Sequence, residues 1–170
     1  MGVNLIFDEF KIEAIGILDE ILLVVNELEE EHEAFPKEKI EEFALKTDRL
    51  MGAAKTFNLM YPDYESLLHI ARITELCKVT GYKASTLSNT QLVPIFSAFW
   101  ADAIDIIREL VESVEDTAKI KEVTANFIPT LRKRLMWLAQ QIIDTTKTDK
   151  TSDQSKINVD GLLKKMGFDV

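Results

Sequence analysis

Cysteine, histidine, glycine and proline are all scarce in this chain, and each scarcity excludes something. The single cysteine, Cys77, cannot form an internal disulfide, which removes the small stapled folds and suits a reducing compartment. The only histidines, His32 and His69, lie far from each other, so a His/Cys metal site is not expected. No cofactor is expected either. Six glycines and four prolines in 170 residues are too few for a sheet-rich or low-complexity chain. Positive charge is in deficit too. The net charge of −9 argues against nucleic acid, because phosphate binding needs a concentrated basic surface. The short basic run RKR at 132–134 reads as a solvated patch on a helix. No apolar run approaches the roughly 18 residues of a membrane span. The N-terminus lacks the basic, apolar and small-residue succession of a secretory leader. The expectation is a cytoplasmic protein without membrane insertion.

What the chain has in quantity is helical periodicity. Hydrophobic residues make up 46% and charged residues 29%, enough for one domain with a proper core. Phe7, Phe10, Ala14, Ile17, Ile21, Val24 and Leu28 follow steps of three and four, and Ile15, Leu18, Leu22 and Val25 run beside them. Two adjacent stripes predict a first helix that contacts more than one neighbour. Pro36 suits the start of a second helix, whose inward face is Ile40, Phe43, Thr47, Leu50, Ala54 and Phe57. A third carries Leu67, Ile70, Ala71, Thr74 and Cys77 on one face, and Gly81 is placed to end it. Ser88 with Gln91 resembles a capping box for a fourth helix with the stripe Val93, Phe96, Trp100, Ala103, Ile107, Leu110 and Val114. A fifth begins near Asp116. Its stripe of Ile120, Val123 and Phe127 slips to Ile128, Leu131, Leu135, Leu138 and Ile142, and Pro129 at the slip predicts a kink. The fold class is therefore all-α: an antiparallel four-helix bundle plus a fifth helix, spanning residues 1–146. Residues 147–156 hold no apolar side chain and read as a flexible linker. Residues 157–170, INVDGLLKKMGFDV, put Val159, Leu162, Leu163 and Met166 on one side of a short helical peptide. That peptide either folds back on the bundle or orders on a partner.

Function centres on FALKTDRLMGAAKTFN, residues 43–58. At about 100° per residue, Asp48, Gly52 and Lys55 fall on one flank of the second helix, beside its apolar face. A glycine there lets a partner surface approach closely; the plainer alternative is a solvated Asp48 and a Gly52 that packs against helix one or three. The run resembles the phosphoacceptor motif of the chemotaxis histidine-phosphotransfer (HPt) family, typified by the phosphotransfer domain of the kinase CheA. That motif reads H-x-x-K-G followed by small residues and an aromatic. LIFDEF at 5–10 and LLHIARITE at 67–75 are similar to the family's first and third helices, and the resemblance covers about residues 5–140. It implies an HPt-type bundle that meets CheY-like receiver domains. Here Asp48 stands in place of the histidine and Met51 in place of the lysine. Phosphohistidine exchange needs an imidazole nitrogen, and Met51 removes the ammonium that would hold the phosphoryl group. The resemblance thus implies a pseudo-phosphotransfer domain that binds through Asp48, Met51, Gly52 and Lys55. His69, about 120° off the apolar face of helix three, reads as an ordinary surface histidine, and so does His32.

The C-terminal peptide carries a second resemblance. Val159, Asp160, Leu162, Leu163, Gly167 and Phe168 match the V-D-x-L-L-x-x-x-G-F pattern of the receiver-docking peptide of the phosphatase CheZ, while Asp169 and Val170 extend past its usual end. This implies that Val159, Asp160, Leu162, Leu163, Met166 and Phe168 dock on the same CheY-like receiver. Two alternatives stay open: a CheZ-like phosphatase of a phosphorylated response regulator, or a helical scaffold of a chemotaxis or motility assembly. A phosphatase of that kind pairs an acid with an amide one turn on. Only Glu122 and Asn126 have that spacing, which a chain this rich in carboxylates produces by chance.

Overall fold

The computed structural model describes residues 2–146 and Gly161. The described chain is all-helical and bundle-like: α1 (Gly2–Glu29), α2 (Lys37–Met60), α3 (Glu65–Leu87), a 3-10 turn (Thr90–Leu92), α4 (Val93–Glu112) and α5 (Thr117–Thr146), with no strand among the described residues. The expected linker at 147–156 and the docking candidates Val159, Asp160, Leu162, Leu163, Met166 and Phe168 lie outside the described residues.

Both stripes of α1 are used. Phe7, Phe10, Ala14, Ile17, Ile21, Val24 and Leu28 are buried together with Leu18 and Val25, so α1 packs against α2 on one side and α4 on the other. In turn α2 packs on α3 and α3 on α4, while α5 lies mainly against α4 and the 3-10 turn. Trp100 of α4, fully buried, ties three of these helices together. It stacks on Phe43 of α2 at 4.2 Å between ring centroids, and its Nε1 donates to Thr80 Oγ1 of α3 at 2.9 Å. An indole N–H taken out of water needs such a partner. At the far end the start of α1 meets the end of α2, with Phe7 4.6 Å from Tyr64 and 5.2 Å from Tyr61, and Phe10 4.7 Å from Phe57. α1 and α2 therefore run antiparallel.

Four local expectations are corrected. Gly81 does not end α3; the helix continues to Leu87 and stops at Ser88, which adopts a left-handed φ of 47°. Ala84 is buried and Leu87 packs on the core, so burial carries the helix past the glycine, whose penalty is only about 1 kcal/mol. Because Ser88 closes α3, it does not open the next element; Asn89 does, its side chain accepting from Gln91 N at 3.0 Å. The stripe of α5 does not slip either. Ile120, Val123, Phe127, Leu131, Leu135, Leu138 and Ile142 are all buried, one step of four crosses Pro129, and α5 runs unbroken from Thr117 to Thr146. Its start is fixed by Asp116, which accepts from Lys119 N at 3.0 Å. Finally, one stretch is long and apolar enough, by length and composition alone, to cross a membrane: Thr90–Glu112. Half of its most apolar window is buried inside the protein, where Val93, Phe96, Phe99, Trp100 and Ile104 build the core, and that burial accounts for its composition.

Candidate functional site on the α2–α3 face

Helix α2 buries Ile40, Phe43, Thr47, Leu50, Met51 and Ala54. Thr47, Met51 and Ala54 share a face at steps of four and three, so the Met51 side chain turns inward and is only 9% exposed. The expectation that Met51 belongs to a partner-facing surface is therefore corrected. The other three residues of the motif do share the outer flank. Asp48, Gly52 and Lys55 are exposed, and a Cβ built on Gly52 meets nothing within 4 Å. The alternative in which Gly52 serves close packing against α1 or α3 loses its basis, since no neighbouring helix approaches it.

Asp48 is not an isolated carboxylate. Lys78 of α3 reaches across and donates from Nζ to Asp48 Oδ1 at 2.7 Å. That hydrogen bond raises the Lys78 pKa above its ordinary value, against a smaller opposing effect of burial. Sequence reading missed Lys78. Its signal lies in the antiparallel pairing of α2 and α3: a Cβ on Gly81 would touch Phe43 and Ala44 at 3.7–3.8 Å, and moving one turn along both helices from that contact brings Asp48 opposite Lys78.

A shallow groove lies on each side of the ion pair. One, of about 290 Å³, runs between Glu41, Ala44 and Leu45 of α2 and Tyr82 of α3, and reaches Asp48 and Lys78. The other, of about 360 Å³, is bounded by Lys55, Asn58 and Leu59 of α2 with Leu68, Arg72 and Glu75 of α3. Leu45, Leu59 and Tyr82 stand 72%, 84% and 62% exposed on their rims. A charged pair thus stands between large exposed apolar side chains.

The other candidates lie elsewhere. His69 is not on the surface: it is 5% exposed, because Phe127 of α5 covers it edge-on with ring centroids 5.9 Å apart. A wheel drawn for α3 alone does not show this second neighbour. His69 Nε2 is 3.3 Å from Glu65 Oε1 but lacks the alignment of a hydrogen bond, and neither ring nitrogen has a hydrogen-bond partner. Burial lowers its pKa below the ordinary histidine value, with Glu65 opposing. The Cys77 thiol is pushed up to about 12 by burial and is unreactive there. Glu122 and Asn126 are exposed on α5, and Glu122 pairs with Lys119 at 3.7 Å. The basic run at 132–134 is exposed on α5 as well, with Arg134 paired to Asp102 at 3.0 Å. Among the described residues no group of three or more His, Cys, Asp or Glu side chains is arranged to hold a metal ion.

No protein-family profile, curated protein or solved structure matches this chain.

Proposed function

We propose that this protein is a receiver-binding module of two-component or chemotaxis signalling, built as an HPt-type four-helix bundle that does not transfer phosphate. Helices α1 to α4 form the bundle, α5 flanks it, and residues 157–170 form a second docking element joined by the linker at 147–156. The observation that carries the reading is the Asp48–Lys78 pair at 2.7 Å on an exposed flank, with open space above Gly52. The frame of a phosphotransfer helix is kept, and where the phosphoacceptor imidazole would stand there is a carboxylate held by an ammonium. Such a pair recognises a surface and offers no imidazole nitrogen to take up phosphate; its one nitrogen is an ammonium without a free lone pair.

The tail adds proximity. A tethered apolar peptide holds its receiver near the α2–α3 face at an effective concentration of the order of millimolar, which strengthens binding without any new contact on the bundle. The test is isothermal titration of a CheY-like receiver, with and without phosphorylation, against the full chain and a chain ending at residue 146. The full chain should bind more tightly. Equal affinities remove the tail from the account, and no binding in any condition leaves the helical-scaffold reading. The phosphatase reading has its own readout. Trace amounts of the chain should leave the lifetime of the receiver's acyl phosphate unchanged; catalytic loss that Asn126→Ala abolishes establishes the enzyme instead. Radiolabel retained covalently on the chain after exposure to a charged relay protein overturns the proposal.

A further inference from the structure

The α3–α5 junction holds a histidine for which receiver binding has no use. His69 is nine-tenths buried and more, Phe127 covers it from α5, and both of its ring nitrogens lack hydrogen-bond partners. A neutral imidazole tolerates that place. An imidazolium there would be desolvated, with the carboxylate of the largely exposed Glu65 as its one close counter-charge. Outside the buried Ile120, Val123 and Phe127 of α5, the junction is open. A groove of about 400 Å³ opens between Glu65 of α3 and Lys121, Thr124, Ile128 and Pro129 of α5. The Thr124 hydroxyl beside it is buried without a partner. Pro129 has no N–H to offer the Ala125 carbonyl one turn back. The charges that act on the ring are Glu65 and Arg72, both on α3, with Lys121 lining the groove from α5. Glu65 Oε1, 3.3 Å from Nε2, belongs to a side chain that is 63% exposed.

We propose that His69 is a proton-operated latch: neutral, it packs under Phe127 and holds the first half of α5 against α3; protonated, it leaves that cover for water and lets that half lift. Burial lowers the ring's proton affinity in the closed state, with Glu65 opposing and Arg72 assisting. The lifted state, with the ring in water, binds a proton at the ordinary value of 6.5. The closed state is therefore favoured in full above that pH and loses ground as pH falls through it. The lifted population grows by up to about tenfold per pH unit until the buried ring itself titrates. The latch stands independently of receiver binding.

The test is hydrogen exchange on the full chain between pH 7.5 and 5.5, read as protection factors corrected for intrinsic rates. In the wild type, amides between residues 120 and 128 should lose protection by about fivefold from pH 6.5 to 5.5, while the cores of α1 to α4 keep theirs. His69→Phe keeps an aromatic ring under Phe127 and removes the proton, so its protection should not vary with pH. Glu65→Gln removes the carboxylate that favours a proton on the buried ring, so the loss should start at the same pH and continue to lower pH than in the wild type. Unchanged wild-type protection, a uniform loss across all helices, or the same pH dependence in His69→Phe overturns the latch. An NMR titration of the wild-type His69 ring gives a readout that needs no variant: a midpoint at or above the ordinary histidine value also overturns it.

Discussion

Gly52 is the residue on which the binding face is most cleanly tested. Nothing lies within 4 Å of a Cβ placed there, so substitution costs the protein no packing. Gly52→Ala should stabilise α2 by up to about 1 kcal/mol through helix propensity alone, visible as a higher unfolding midpoint. Gly52→Trp should leave the unfolding midpoint close to that of wild type but weaken receiver binding about tenfold or more, the scale of a blocked interface centre. A binding surface gives that split between stability and affinity; a surface with no partner gives no effect of either variant on binding. Lys78→Glu sets like charge against Asp48 across a 2.7 Å contact and should act on affinity in the same direction. Met51 behaves differently. It is 9% exposed, and Met51→Ala should appear as lost stability first.

At the scale of elements, what was legible in the sequence was each helix's own face, and what was not was the second neighbour. The stripe of α4 and both stripes of α1 are buried as their periodicity requires. The face of α3 was read as ending at Gly81 and excluding His69, and both errors share a cause. Periodicity reports the side turned to the main core, whereas Ala84 and His69 are covered by contacts that one helix's pattern does not contain. Pro129 misled in the opposite way: a breaker was read as a break in the stripe, although Phe127 and Leu131 span it in a single step. The candidate site was legible in part. Asp48, Gly52 and Lys55 follow from the wheel, while Lys78 follows only once the register of α2 against α3 is known. Gly81→Ala separates the two readings of α3 by sign. In a helix interior with an ordinary 3.7 Å contact to Phe43, the new methyl should stabilise by up to about 1 kcal/mol. At a left-handed helix end it would destabilise. Chemical denaturation of this one variant decides between them.

For the whole molecule the question is whether residues 157–170 serve the fold or the partner. Among the described residues Phe7, Phe10, Phe43, Phe96, Phe99 and Trp100 are at most 1% exposed, and the buried stripe of α5 extends to Ile142. The chain's net charge of −9 gives the bundle a repulsive field toward other acidic surfaces. Under the proposed reading, receiver capture has to come from short-range apolar and paired-charge contacts, which is what a tethered apolar peptide and the Asp48–Lys78 face with its apolar rims would supply together. If the peptide serves the partner, ending the chain at residue 146 should shift the thermal midpoint by no more than about 2 °C, less than roughly 1 kcal/mol of unfolding free energy. The same truncation should weaken receiver binding by about 10²-fold or more, the gain that tethering supplies. A midpoint that falls by about 10 °C would place the peptide within the core, and binding would then rest on the α2–α3 face alone. Measured on one pair of samples, melting and titration move in opposite ways under the two assignments, so a single truncation tells a docking arm from a structural one.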